Sequence, residues 1–310
     1  RDPRFAPRSQ GANTPENSLT GTMFQANHDD LSLTVSAEEG KLRLWRSTSL
    51  ASLPDNGSAT LAPHTVGYES DEDVDNGFRP DGLIRLSTTT GETPEYLADF
   101  GNTVVPGTTT HHLTMYRAPS GALVYGTGTI QWTWGLDAQH DSAFDSEPAD
   151  PRMQQAQVNL FADMDVQPAS LDPSLTRATK STDTTAPTVT ITSPAAGANR
   201  PNGSVTTLTG TASDVGGRVA GVEVSLDGGE SWSAATGTTS WSYDYVQHGL
   251  GSTAVRVRAM DDSANIGTAV SRSFSVACPC NVFGNAVPKT PAANDSSAVE
   301  LGMRFTVLTN

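Results

Sequence analysis

Thr188-Val189-Thr190-Ile191-Thr192 is the stretch that decides the fold of the second half of this chain. Threonines alternate with branched apolar residues, so one face of an extended strand is apolar and the other is polar. Further short runs of strand-forming residues follow between Gly, Asp and Ser turns, at 205–209, 219–226, 240–246, 253–259 and 271–276. Many short strands at roughly regular spacing predict a two-sheet β-sandwich over residues 187–277. The span has no Cys, so Trp232 and Trp241 are expected to fill its core.

Residues 172–186 separate the sandwich from an earlier region. They are polar, rich in Thr and poor in large apolar groups, which predicts a linker because little burial can offset the entropy of ordering it.

The region before the linker mixes strand and helix patterns. Runs at 31–35 and 41–46 alternate with period two, and residues 37–40 between them are typical of a hairpin turn. A second hairpin is expected from 112–116 and 122–125. Asp150-Pro151 then begins a helix with an apolar stripe, since Asp is a good N-cap and Pro suits the first helical position. We therefore expect a partial α/β region over residues 1–171.

Composition excludes some classes of function. The net charge is −15 with only 19 Lys and Arg, whereas a nucleic-acid-binding protein needs a clustered positive surface. No apolar run reaches the roughly 18 residues of a membrane span. The chain begins with Arg1 rather than Met, and it is rich in Thr and Ser and poor in Lys. We take these features to indicate a secreted or cell-surface protein.

Several ordered motifs of the first region carry a family resemblance. They are residues 1–5 (RDPRF), 109–121 (TTHHLTMYRAPSG), 126–137 (GTGTIQWTWGLD) and 153–156 (MQQA). Together they resemble the C-terminal half of the N,N-dimethylformamidase large-subunit-like domain. The resemblance implies a glutamine-amidotransferase-like α/β core, with part of the catalytic domain expected before Arg1.

The later regions carry resemblances of their own. Residues 187–277 resemble a bacterial immunoglobulin-like module. Residues 278–310 resemble the start of an uncharacterised β-sandwich domain of bacterial surface proteins, which implies a truncated further β domain at the end of the chain.

The resemblance also implies a metal. Dimethylformamidases hold a single iron ion with Tyr and Glu side chains, and Glu69 is the candidate for a retained iron ligand. The alternative is that residues 68–77 form a solvated acidic loop. A third reading is calcium, because Asp71, Asp73 and Asp75 have the spacing of an oxygen-ligand loop, although Gly77 comes one residue late.

Other residues are candidates for binding or cross-linking. Trp132 and Trp134 would share a face if their run is extended, as a platform for a ring substrate or as core packing. His111 and His112 are adjacent, so on a strand they point to opposite faces, and we expect one buried and one exposed His rather than a ligand pair. Cys278 and Cys280 are expected to form a disulfide, with each other or with another partner, if the protein is exported.

No hydrolytic site is complete in the first region. It has no Cys for a glutaminase-type nucleophile and no G-x-S-x-G elbow. We therefore expect a fragment of a secreted modular bacterial protein that displays an amidase-like domain in a structural or binding role. One alternative is an iron-dependent amide hydrolase acting on a small amide in the full-length protein. Another is an adhesion module for carbohydrate or a surface glycan.

Overall fold

The computed structural model describes residues 14–140, 147–248 and 251–277 of the chain. Cys278, Cys280 and the expected further β domain over 278–310 lie outside these residues, as does the 1–5 motif.

The described part of the first region contains nine strands in three sheets. They are β1 (Met23–Leu31), β2 (Thr34–Ser36), β3 (Ser58–Thr60), β4 (Val66–Glu72), β5 (Ile84–Arg85), β6 (Thr89–Ala98), β7 (Thr103–His111), β8 (Thr114–Arg117) and β9 (Leu123–Gly126). The largest sheet has the order β4-β1-β6-β7, and the others are β2-β3 and β5-β8-β9. The hairpin expected around residues 118–121 is confirmed as β8 and β9.

The expectation of an α/β region is not confirmed. Every strand pair described in this region is antiparallel. The described α-helices are α1 (Asn17–Thr20), α2 (Ala37–Gly40) and α3 (Pro151–Asp163), and only α3 is longer than about one turn. Short 3-10 helices lie at Arg43–Trp45, Ser49–Ser52, Asp99–Gly101 and Trp132–Gly135. Parallel strands need long crossover connections, usually helical, and the short turns here join antiparallel neighbours instead. A single well-marked helix does not make an α/β fold.

Helix α3 begins where the sequence predicts, because the Asp150 side chain accepts a hydrogen bond from Arg152 N at the helix start. The hairpin expected across residues 37–40 is wrong, since these residues form α2. Ser36 and Glu39 make a reciprocal capping box there, which satisfies backbone donors and favours a helical turn over a strand turn.

The second region is a β-sandwich, as predicted. Its strands are β10 (Thr188–Ser193), β11 (Asn199–Pro201), β12 (Val205–Ser213), β13 (Val219–Ser225), β14 (Ser233–Ala234), β15 (Thr236–Gly237), β16 (Ser240–Val246), β17 (Gly251–Asp261) and β18 (Val270–Ala277). One sheet has the order β10-β12-β16-β15 and the other β11-β18-β17-β13-β14.

Trp241 lies in the core between the two sheets, as expected from its position. It packs flat on Gly210, where a Cβ atom would lie 2.4 Å from the indole and 1.9 Å from Thr190 O. Only glycine fits there. Trp232 is also buried, under the guanidinium of Arg258 at 3.8 Å from the ring centroid, a cation–π contact.

One hydrophobic cluster extends across both regions, beside the separate core of the sandwich. Ala220, Met260 and Ala264 of the sandwich belong to the same buried cluster as Trp45, Leu113 and other residues of the first region. The segment between the regions also contacts the first one: Thr176 N donates to Gln155 Oε1 at 2.7 Å, and Arg43 Nη2 donates to Thr179 O at 2.6 Å. The sandwich therefore lies directly against the first region.

Candidate functional site

Glu69 lies on β4 with its side chain exposed. Its neighbour Tyr68 is 51% exposed and stacks against His28, with ring centroids 6.5 Å apart. Within the described part of the chain, no set of three His, Cys, Asp or Glu ligand atoms includes Glu69. The role of Glu69 as an iron ligand therefore stays a prediction.

The three aspartates whose spacing resembles that of a calcium-binding loop, Asp71, Asp73 and Asp75, have different surroundings. Asp71 accepts a hydrogen bond from Thr22 Oγ1 at 2.8 Å, and burial raises the pKa of its carboxyl group. Asp73 turns inward and pairs with basic groups, whereas Asp75 is exposed. They do not converge on a cation within residues 14–140, so the spacing in sequence does not become a site in space.

Asp73 is instead the centre of a buried polar cluster. Arg85 Nε donates to Asp73 Oδ2 at 2.7 Å, and His112 Nδ1 lies 2.8 Å from Asp73 Oδ1. The His112 contact is electrostatic rather than a well-aligned hydrogen bond, because Nδ1 has no partner of good geometry. Burial alone would raise the pKa of Asp73, but His112 and Arg85 outweigh it and hold that pKa far below its usual range.

The expectation of one buried and one exposed histidine is wrong, because both His111 and His112 are buried. His111 Nε2 lies 2.8 Å from the carbonyl oxygen of Thr127, and burial lowers the pKa of His111 to about 4. His111 is therefore neutral near pH 7. The two rings have different partners, Thr127 for His111 and Asp73 for His112, and they do not form a ligand pair.

Trp132 and Trp134 lie in a short 3-10 helix, Trp132–Gly135, and the extended run assumed for them is wrong. Trp132 belongs to the core and its Nε1 donates to Gln157 Oε1 at 3.1 Å. Trp134 is half-buried and stacks on His140 with centroids 5.0 Å apart. A binding role for the two residues stays a prediction.

A buried ion cluster at the contact between the two regions was not foreseen from sequence. Glu223, on β13, has no exposed surface. Arg79 Nη1 donates to Glu223 Oε1 at 2.6 Å, and Arg258 Nη2 donates to Glu223 Oε2 at 2.8 Å. The backbone N–H of Gly82 lies 3.1 Å from both Glu223 oxygens. The only hint in the sequence is an acidic residue between two valines in an apolar strand.

This cluster joins the two regions chemically. Arg79 and Gly82 come from the first region and Glu223 and Arg258 from the sandwich. The Arg79 side chain is 3% exposed, and its Nε also lies 3.8 Å from Asp73. A buried carboxylate needs donors around it, and here both regions supply them. The charged groups of the cluster are therefore paired with one another across the contact between the two regions.

A groove of about 610 Å³ lies beside the cluster, between the two regions. Both acidic and basic side chains line it, among them Glu39, Lys41, Arg85 and Arg218. In the part of the chain described, no helix combines the length and the hydropathy needed to cross a bilayer.

Both regions are similar to families of known proteins. Residues 5–145 match the family model described as N,N-dimethylformamidase beta subunit-like, C-terminal, and residues 187–259 match that of a bacterial Ig domain. No curated protein sequence matches the chain.

Two solved structures are similar to part of the chain. The fibronectin(III)-like modules of Clostridium thermocellum CbhA are 24% identical, with a TM-score of 0.27, over 29% of this chain and 96% of theirs. The SrpA adhesin of Streptococcus sanguinis is 16% identical, with a TM-score of 0.24, over 31% of this chain and 57% of its own.

The family matches agree with the motifs in the first region and with the sandwich in the second, and together they describe a modular bacterial protein. The first region is therefore similar to the N,N-dimethylformamidase beta subunit-like C-terminal family over residues 5–145, and the second is similar to bacterial Ig domains over residues 187–259.

Proposed function

We propose that this chain is a structural unit of a secreted or cell-surface modular bacterial protein, in which the Ig-like sandwich holds the dimethylformamidase-like domain in one fixed orientation. The proposed division is residues 1–171, a connecting segment 172–186, the sandwich 187–277, and the start of a further β domain at 278–310. The buried carboxylate of Glu223, held by Arg79 from one domain and Arg258 from the other, is the observation that carries the proposal.

Neighbouring domains usually move relative to one another unless their interface is large and apolar. Here the interface combines a shared apolar cluster with a fully buried charge. A shift of one domain that moved Arg79 away from Glu223 while both stayed buried would leave uncompensated buried charges. An uncompensated buried charge costs about 3–5 kcal/mol. A fixed orientation is the expected consequence.

The connecting segment supports the same conclusion. Arg43 and Arg46 both donate to Thr179 O, and Ser181 N donates to Asp163 Oδ1 at 3.0 Å. Ser181 Oγ also lies 2.7 Å from Ser263 Oγ of the sandwich. The connecting segment is hydrogen-bonded to both the first region and the sandwich, so it has less conformational freedom than a flexible linker.

Distances between spin labels test the fixed orientation. Labels are placed on cysteines at the exposed positions Thr103 and Thr207, one in each domain, after Cys278 and Cys280 are replaced by serine. We expect one narrow distance distribution, unchanged by Glu230→Gln, an exposed acidic position of the same sandwich, and broadened by Glu223→Gln. A broad distribution in the parent chain would contradict the proposal.

The family match favours one alternative, an iron-dependent amide hydrolase in the longer protein. The matched family is named for N,N-dimethylformamidase, so small formamides are the substrates to test. We expect no amine release above the iron-only blank when this chain is incubated with iron and formamides. Iron-dependent turnover that Glu69→Gln abolishes, with the melting temperature unchanged, would establish the hydrolase instead.

A further inference from the structure

The groove of about 610 Å³ between the two regions is lined by arginines from both of them. Arg79 and Arg85 come from the first region, and Arg218 comes from the sandwich. A groove of this volume at a contact between two domains is a usual place for a small ligand. We propose that this groove binds a small sugar acid, whose carboxylate is held by Arg85 and Arg218.

Arg85 is held in one orientation but only part of its guanidinium is used. Its Nε and Nη2 donate to the two carboxylate oxygens of Asp73, at 2.7 and 3.2 Å. Asp73 is buried and lies 2.8 Å from His112 Nδ1. Arg85 Nη1 donates to no described residue, and the side chain is 42% exposed. Because the buried carboxylate already orders this side chain, Arg85 loses little conformational freedom when its remaining donors bind an anion.

Arg79 adds a buried donor that has no acceptor. Its Nη1 donates to Glu223 Oε1 at 2.6 Å, and its Nη2 donates to Leu83 O at 2.7 Å. Its Nε is buried and makes no hydrogen bond, although Asp73 Oδ2 lies 3.8 Å away. A buried donor without a partner is costly, and the Arg79 side chain is only 3% exposed. An acceptor brought into the groove by a ligand would offset this cost.

Arg218 supplies a positive charge from the sandwich side. Its side chain is exposed, and in the described part of the chain it forms no ion pair. Lys41, the remaining basic residue of the groove, is paired with Asp55 at 2.9 Å. Arg218 is therefore the basic residue that a ligand can reach without breaking an existing ion pair.

The acidic side chains of the groove determine which anion fits. Glu38, Glu39 and Asp214 also line it. A phosphate ester carries close to two negative charges and a carboxylate only one, so these residues repel the phosphate more strongly. Their oxygens accept hydrogen bonds from hydroxyl groups, and Thr236 and Thr238 add hydroxyls of their own. A sugar acid combines one carboxylate for the arginines with several hydroxyl donors for the acidic side chains.

The site rests on the proposed fixed orientation, because its two arginines belong to different regions. Calorimetric titration of the full chain with sodium galacturonate tests it. We expect a binding heat in the parent chain that weakens at least about tenfold in Arg218→Gln, since hydrogen bonds between charged groups are the stronger ones. Galactose, which has the hydroxyls but not the carboxylate, should bind at least about tenfold more weakly for the same reason.

Arg177→Gln is the matched control. Arg177 is an exposed arginine of the connecting segment and does not line the groove. The variant loses the same charge as Arg218→Gln, so it should bind galacturonate like the parent chain.

Melting curves separate loss of binding from loss of folding. Because the Arg218 side chain forms no ion pair, Arg218→Gln should melt with the parent chain when no ligand is present. Galacturonate should raise the melting temperature of the parent chain and not that of Arg218→Gln. Arg85→Gln should also lose binding, but at a lower melting temperature, because it removes the pair with Asp73. Arg85→Lys keeps the charge without the fork and should bind more weakly than the parent.

Four results would overturn the proposal. The first is no galacturonate heat in the parent chain. The second is equal affinity for galactose, and the third is unchanged galacturonate binding by Arg218→Gln. The fourth is tighter binding of galactose 1-phosphate or of N-acetylglycine than of galacturonate, which would contradict the assignment to a sugar acid. If galacturonate fails to bind while the spin-label distribution stays narrow, the site is wrong and the fixed orientation stands.

Discussion

Replacing Glu223 by Gln removes the negative charge from the buried cluster between the domains while nearly preserving its shape. In the parent chain the Glu223 carboxylate accepts from Arg79, Arg258 and the backbone of Gly82, at 2.6 to 3.1 Å. The amide group of Gln keeps one acceptor oxygen, but its NH2 group is a donor and would face the N–H donors that the carboxylate accepted from. The charges of Arg79 and Arg258 are then no longer balanced by Glu223.

The expected loss follows from what remains around the two arginines. An uncompensated buried charge costs about 3–5 kcal/mol. Arg79 keeps a weaker contact with Asp73 at 3.8 Å, and Arg258 keeps Asp81 at 3.2 Å, where Asp81 is largely exposed. Because these contacts remain, we expect the loss in the free energy of unfolding to be at the lower end of this range, about 3 kcal/mol. For a protein of this size that corresponds to a melting temperature lower by roughly 6–12 °C.

Urea unfolding and scanning calorimetry of the full chain measure this loss. Glu230→Gln, on the exposed surface of the same sandwich, is the control and should change the free energy of unfolding by less than about 0.5 kcal/mol. A double-mutant cycle of Arg79→Ala and Glu223→Ala should give a coupling energy above about 1 kcal/mol. The reasoning is refuted if Glu223→Gln is as stable as the control, or if the cycle shows no coupling.

Three further predictions concern single residues. Burial lowers the pKa of His111 to about 4 in the folded chain, below its unfolded value of about 6.5, so the unfolded state binds more protons between these pH values. The free energy of unfolding should therefore fall as the pH drops through this window, and His111 should contribute about 2 kcal/mol to that loss at pH 5. Urea unfolding of His111→Gln should show a weaker pH dependence than that of the parent chain. Gly210→Ala should cost about 2–3 kcal/mol in thermal unfolding, because its Cβ would meet Thr190 O and the Trp241 indole; a loss under 0.5 kcal/mol would show that the sheets adjust freely. Ser36→Ala should cost about 1 kcal/mol in the same assay by removing the capping box with Glu39, whereas Ser36→Thr should retain most of it.

The sequence alone determined the elements whose signals are local. The alternation at 188–192 and in the later runs predicts the sandwich, because side chains of a strand alternate between core and solvent. Asp150 and Pro151 predict the start of α3, since capping involves only neighbouring backbone groups. The family motifs at 109–121 and 126–137 identify the first domain, which the family match confirms.

At some positions the local sequence pattern gave a wrong prediction of secondary structure. Residues 41–46 alternate like a strand, yet Arg43–Trp45 forms a 3-10 turn, because Leu44 and Trp45 pack into a core that sequence spacing does not describe. Residues 132 and 134 would share a face of a strand, but a 3-10 helix turns them apart. Propensity over a few residues is weak compared with tertiary packing.

Only the tertiary structure decided which charged groups are buried together. Arg79 and Glu223 are separated by 144 residues, and nothing local to either predicts the other. The same holds for Asp183, Asp214 and Asp261, which only the packing of the connecting segment on the sandwich brings together. A charged residue in a sequence is by default a solvated one, and its partner and burial depend on how distant elements pack. The contact between the two regions is therefore a property of the folded chain.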